Sequence, residues 1–315
     1  MIDPDGIPPA DAPREHHADW LELSVLTNER RAVSVREFVR ELCLTGSTDA
    51  VLGDEAGGET DEEGLREAIA EAAFAEIDER FRSSGGEQAY PFEIGENSVR
   101  LRKGMDGSVY SFLLLLSVYG KDAGPPGMDG ARLFEDVCAE ASAAYLGGRH
   151  PHVKSRVFGF PRRLLPKAFP AALDALCREL GEGRGHREER AELPDQKDAK
   201  LDIVAWRDFE DRRPGKVIVF GQCATGGNWR EKLLELPPPQ DWCSYWMQDR
   251  PAVWPTRWFF VPHRIEMAHW FYACVHGGVL HDRCRIAQLA GQLDTGLASL
   301  CAAWSRWILK KARKR

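Results

Sequence analysis

The apolar positions of this chain recur at two periods, and the switches between them mark out its elements. From Asp61 to Phe81, Leu65, Ile69, Ala72, Ala73, Ile77 and Phe81 return every three or four residues, the stripe of an amphipathic helix. Val35, Phe38, Val39 and Leu42 do the same at the end of Ala18 to Leu44, which reads as a strand or short helix followed by a helix. Tyr90 to Tyr119 reads as strand-rich, with Gly104-Met105-Asp106-Gly107 turning the chain between Val99-Arg100-Leu101 and the apolar run Val109 to Val118. Pro125-Pro126-Gly127 breaks the pattern. Beyond it the chain alternates: a helix from Gly130 to Tyr145, a strand from Ser155 to Phe160, and a helix from Phe169 to Leu180. Two adjacent strands follow, Lys200 to Trp206 and Val217 to Ala224, joined through a charged stretch ending in Pro214-Gly215. A helix from Asn228 stops at Pro237-Pro238-Pro239, Thr256 to Pro262 is a buried strand, and helices over Glu266 to Val275 and Ile286 to Lys311 finish the chain.

This order predicts an α/β (α+β) fold, a mixed central sheet flanked by helices, because a hairpin is followed by a strand–helix–strand crossover. The expected units are a disordered 1–18, an N-terminal α+β region over 19–129, a core over 130–265, and a C-terminal helical extension over 266–315. Residues 46–60 read as an acidic linker. No apolar run approaches the ~18 residues of a membrane span, and the acidic, Pro-containing start lacks the basic and apolar regions of a secretory signal. The expectation is a cytoplasmic protein without membrane attachment. Eight cysteines in 315 residues are too sparse for a disulfide scaffold.

Net charge is −7, unevenly distributed. Ser47 to Glu87 holds 13 acidic and 3 basic residues, whereas Arg250 to Arg315 holds 11 basic and 3 acidic. The tail, with Lys310, Lys311, Arg313, Lys314 and Arg315, suits a phosphate backbone or simply a solvated helix end. Gly226-Gly227-Asn228 before a helix leaves backbone N–H groups free to meet a phosphate, with Arg230 close by.

The candidate chemistry lies on the adjacent strands. Asp202 precedes the apolar part of the first, and Gln222 ends the second after four apolar residues, with 19 residues between them. Glu135, in Leu133-Phe134-Glu135-Asp136-Val137, sits in the first helix of the core. Helix, strand, strand, strand, helix, strand, with Asp198-Ala-Lys-Leu-Asp202-Ile-Val on the second strand and Gln222 on the third, resembles the PD-(D/E)XK nuclease superfamily, of restriction-endonuclease-like fold. The resemblance covers about 130–265. It implies a metal-dependent DNA endonuclease, the effector of a restriction or antiphage defence system working beside an ATPase or helicase, with a homo-oligomer as a further expectation. It implies Mg²⁺, with Mn²⁺ as the alternative, held by Asp202, the Gln222 oxygen, the Cys223 carbonyl and Glu135, with Glu182 as the alternative first-helix acid. The superfamily's lysine falls at Ala224, so Lys232 on the following helix is assigned to orient water and stabilise charge; Arg230 cannot act as a base. The competing class is a catalytically inactive scaffold of the same fold that binds DNA or a protein partner, and Ala224 is the residue that speaks for it.

Other constellations carry less. Cys274, His276, His281 and Cys284 are spaced too closely for two zinc knuckles, and no matched base is evident for Cys223 as a nucleophile. Trp242, Trp246, Trp254 and Trp258 suit either a stacking surface for bases or core packing.

Overall fold

The computed structural model describes residue 4 and residues 6–44, 59–190 and 197–313. The helices of the described residues are α1 (Arg14–Thr27), α2 (Val35–Leu44), α3 (Glu59–Ser83), α4 (Val109–Tyr119), α5 (Gly130–Tyr145), α6 (Phe169–Leu180), α7 (Trp229–Lys232), α8 (Pro239–Trp246), α9 (Met267–Gly277), α10 (Arg283–Leu289) and α11 (Thr295–Ala312). The strands are β1 (Ala32–Ser34), β2 (Phe92–Gly95), β3 (Ser98–Leu101), β4 (Val153–Val157), β5 (Ile203–Arg207), β6 (Val217–Cys223), β7 (Thr256–Phe260) and β8 (Val279–His281).

Two sheets form. The first three strands make a small antiparallel sheet in the order β1-β3-β2. The other five make a mixed sheet in the order β4-β5-β6-β7-β8. Its β4-β5-β6 part is an antiparallel meander, with Ile203 opposite Gly221; β7 and β8 then add in parallel through helical crossovers. The expected α+β architecture, a mixed sheet flanked by helices, is the one found.

Side-chain alternation on β5 and β6 divides the core. Ile203, Ala205 and Val219 face α5 and the N-terminal helices. Val204, Trp206, Ile218 and Phe220 face the opposite way, onto α6 and Trp242 and Trp246 of α8. A third cluster, with Phe259, Leu233 and Leu280, lies under α9. Trp242, Trp246 and Trp258 are buried in these clusters and Trp254 packs partly buried against the second, so they are core residues rather than a stacking surface.

Several elements depart from the sequence reading. Val109–Tyr119 is a helix, not a strand: Tyr110 through Val118 are all buried, so no polar face is left to reveal a helical period. The expected disorder of 1–18 is overturned from Arg14, where α1 begins, and His17 is 2% exposed within it. The helix expected from Asn228 is the single turn α7, and Pro239 opens α8 rather than ending a helix, as a proline at the first position can. The last helix is two, α10 and α11, parted at 290–294. Of the acidic linker 46–60, residues 46–58 lie outside the described residues, as do Lys314 and Arg315.

A buried charge cluster joins α1, α3, α4 and α10. The Arg80 and Arg283 guanidiniums, both fully buried, donate to Asp19 Oδ1 at 2.6 and 2.5 Å. Tyr110 Oη donates to Glu22 Oε1 at 2.8 Å. Among the described residues no helix is long and apolar enough to cross a membrane.

Candidate active site

Asp202 stands one residue before β5, after a turn in which Ala199 and Lys200 both take the left-handed conformation, with φ of 53° and 66°. Neither is glycine, so the turn is strained. The Asp198 carboxylate holds it closed, accepting from Lys200 N–H at 3.0 Å and Phe160 N–H at 3.2 Å. The backbone of Asp202 is clamped from both neighbouring strands. Its carbonyl accepts from Phe158 N–H at 2.7 Å and Gly159 N–H at 3.0 Å, and its own N–H donates to Gly221 O at 3.0 Å. Its side-chain Oδ2 accepts from Cys223 N–H at 2.8 Å.

Extending the β5–β6 register by one residue sets Gln222 beside Asp202. Gln222 is 3% exposed, and its Oε1 accepts from Leu236 N–H at 3.3 Å, leaving one lone pair. Glu135 comes up from α5, ion-paired with Arg132, whose same nitrogen donates to Gly159 O at 3.2 Å. Gly159 sits between the two acids: a Cβ there would lie 3.2 Å from Asp202 Oδ1 and 3.3 Å from Glu135 Oε2.

All four residues assigned to catalysis, Glu135, Asp202, Gln222 and Lys232, line one cavity of about 760 Å³, together with Cys223, Gly226 and Asn228. Lys121, Lys197 and Lys200 add cationic wall. Burial pushes the Glu135 carboxyl up to about 7 against the pull of Arg132. Burial also pushes Asp202 well above the usual carboxylate range; the Glu135 charge adds to this, while the Cys223 N–H and Lys232 oppose it. Two half-buried acids therefore stand on either side of Gly159, with Arg132 the one guanidinium paired to them. Lys232 is half-buried, and among the described residues no ion pair holds its ammonium.

Comparison with protein-family models, with curated proteins and with solved structures finds no match.

The other assigned residues separate. Glu182 is remote from the cavity, its two oxygens accepting from Gly215 N–H at 3.0 Å and Ala252 N–H at 2.7 Å, which ties the β5–β6 connection to the 252 loop. Gly227 and Arg230 line a neighbouring small pocket instead, where Arg230 meets Glu266 at 3.6 Å. One turn of helix has too little macrodipole to make the Gly226-Gly227-Asn228 turn a phosphate site by itself. Lys310, Lys311 and Arg313 are not in the cavity wall; Arg313 donates to Leu26 O at 3.0 Å and Lys311 lies over the Trp307 ring. Ala224, where the sequence resemblance implied a lysine, is fully buried in the third cluster, so that position faces packed core.

Among the described residues no group of three His, Cys, Asp or Glu side chains is gathered as a metal cluster. His281 stacks on Phe260 with ring centroids 4.8 Å apart, and Cys284 is buried. Burial pushes the Cys223 thiol far up, which removes it as a nucleophile at neutral pH. The oxygens that the sequence resemblance assigned to a hard cation, on Glu135, Asp202, Gln222 and Cys223, all belong to residues that line this cavity. Two under-neutralised acids beside neutral oxygens fit a divalent ion of the Mg²⁺ class.

Sequence reasoning missed Arg132, Gly159 and the wall formed by Tyr119 to Asp122. Arg132 stands three residues before Glu135 on one helix, a spacing that pairs side chains and was legible. Gly159 and the Tyr119 wall reach the site only through the tertiary fold.

Proposed function

We propose that this chain is a divalent-metal-dependent phosphodiester hydrolase that cuts DNA. The observation that carries the reading is the convergence of Glu135, Asp202, Gln222 and Lys232 on one cavity, from elements spread over about a hundred residues. The β4-β5-β6 meander followed by parallel β7 supports the same reading. Asp202 and Glu135, with Gln222 Oε1 and the Cys223 carbonyl, would hold Mg²⁺ or Mn²⁺. Such an ion neutralises charge developing on a phosphate and acidifies a bound water. Lys232 supplies the positive charge that the strand itself lacks at Ala224, and its freedom from an ion pair leaves it available to a phosphate oxygen. Lys121 and Lys197 would meet the flanking backbone phosphates. Service in a defence system, beside an ATPase or helicase, goes with this reading.

The test is nicking of supercoiled plasmid with Mg²⁺ or Mn²⁺. Activity abolished by EDTA and by Asp202→Asn supports the reading; a purified protein that nicks nothing with either metal sinks it. The second reading, a non-catalytic scaffold of the same fold, is favoured by Arg132 on Glu135 and by the Leu236 N–H on Gln222 Oε1, which together occupy part of the donor set. DNA binding that is retained while nicking stays absent under all metals would select it.

A further inference from the structure

Among the described residues, helix α9 stands out for a composition that contradicts its exposure. Met267 to Gly277 contains no Asp, Glu, Lys or Arg. Only Ala273 and Gly277 are buried, and the close approach of Gly277 to Leu233 and Phe259 seats the helix on the third cluster. Trp270 and Cys274 complete that contact. The outward side carries Met267, Phe271, Tyr272 and Val275, exposed by 65%, 80%, 53% and 61%. Four of the thirteen exposed large apolar side chains among the described residues therefore stand within nine positions. With aromatic side chains of about 150–250 Å² each, this patch amounts to roughly 400–500 Å², as large as the biggest patch of an ordinary monomer.

We infer that α9 is the contact through which two copies of this chain form a dimer. Three features single out a second copy as the occupant. Met267, Phe271 and Val275 are spaced by four and make one continuous ridge, beside the row Ala268, Tyr272 and His276. A ridge of this kind packs into the groove of an identical helix at about −50°, and a twofold axis through Phe271 makes the contact self-complementary. The stripe is free of charge, so two copies meet without like charges opposed, whereas a charged partner would find no complement on it. Finally, the patch supplies more than half of the ~800 Å² per partner that a stable interface needs. Leu234, 64% exposed and adjacent to Leu233, on which α9 rests, extends it.

The placement has a consequence for the proposed site. Leu233 directly follows Lys232 and packs under Gly277, so pressure on α9 from a second copy bears on the single turn that carries the lysine.

Sedimentation velocity of the full chain from about 0.1 to 100 µM tests the inference by mass, and so fails or succeeds independently of nicking. The wild type is expected to approach twice 35.4 kDa. Phe271→Asp and Val275→Asp, both at exposed positions, are each expected to raise the dimer dissociation constant at least ~30-fold, the scale of an interface hot spot. Leu164→Asp, 81% exposed on another face, leaves the dimer intact. A wild type that remains at 35.4 kDa at 100 µM overturns the inference. So does a larger species that both α9 variants leave unchanged while their melting temperatures match the wild type.

Discussion

Glu135→Gln in metal-free protein is the most direct probe of the charge imbalance in the cavity. The folded protein holds the Glu135 carboxyl at about 7 against an ordinary 4.5. At about 1.36 kcal/mol per pH unit, that difference is worth roughly 3 kcal/mol. Arg132 is already counted, because its pull is part of why the value is not higher. The sign follows from which state binds the proton more tightly. A carboxyl raised by folding contributes fully below about pH 4.5, and the contribution is lost as pH rises through about 7. Above that the folded state carries a half-buried anion that the unfolded chain solvates freely. Glutamine keeps the shape of the protonated acid and has nothing to ionise. Urea unfolding in EDTA should therefore give matching stabilities near pH 4.5 and a variant more stable by about 3 kcal/mol at pH 8. At a slope of a few kcal/mol per molar, that is a midpoint shift of about 1 M. Added Mg²⁺ should then raise the wild type and leave the variant nearly unmoved, since only a native state that binds the ion gains from it. Parallel pH profiles for the two proteins, or a variant less stable at pH 8, would refute the argument that Glu135 is held at an electrostatic cost.

Three further predictions bear on the site and its support. Gly159→Ala places a methyl 3.2 Å from Asp202 Oδ1 and 3.3 Å from Glu135 Oε2; nicking should fall about 100-fold, the scale of a misplaced reacting group, while circular dichroism and melting change little, and full activity would show that the gap between the acids is not used. Ala224→Lys forces an ammonium into a fully buried position and should lower stability by several kcal/mol without restoring activity to Lys232→Ala; rescue in the double variant would mean that the strand position can still serve. Arg283→Met leaves Asp19 and Glu22 without one of their two buried guanidiniums and should cost about 3–5 kcal/mol in chemical denaturation, and a loss under 1 kcal/mol would show that the cluster is redundant.

How much of this was legible depended on whether the decisive contacts were local. The stripes of α3 and α6 have a polar side, so their periods could be read, and α6 runs over the expected Phe169–Leu180. In α4 the same signal failed because burial on all sides erases the period. The sign that remained was Ser108, whose side chain accepts from Ser111 N–H as a helix cap. Asp202 and Gln222 were legible as a pair because one antiparallel connection joins them. Arg283 and Asp19, 264 positions apart, gave no local pattern, and neither did the approach of Gly159 to both acids. The polycationic tail shows the opposite failure: a strong compositional signal whose described residues lie away from the cavity.

The two halves of the candidate site are built differently. The acidic half is fixed: Asp202 is bonded through its carbonyl, its N–H and its side chain to both flanking strands, behind a strained turn pinned by Asp198. Such over-determination stores local strain and holds a carboxylate where its charge is unfavourable. The basic half is loose: Lys232 ends a four-residue helix, on a long side chain with no ion pair among the described residues, beside Lys200, which is already engaged with Glu235 at 3.1 Å. A lysine on a single turn is thus a cation that must be drawn in, where one on a strand would be pre-set. Under the proposed function the incoming phosphate brings the negative charge that draws Lys232 in, so substrate would complete the site. Lys232→Arg should accordingly retain binding of DNA while losing turnover, because a guanidinium keeps the charge but not the compact, reorienting donor set of an ammonium.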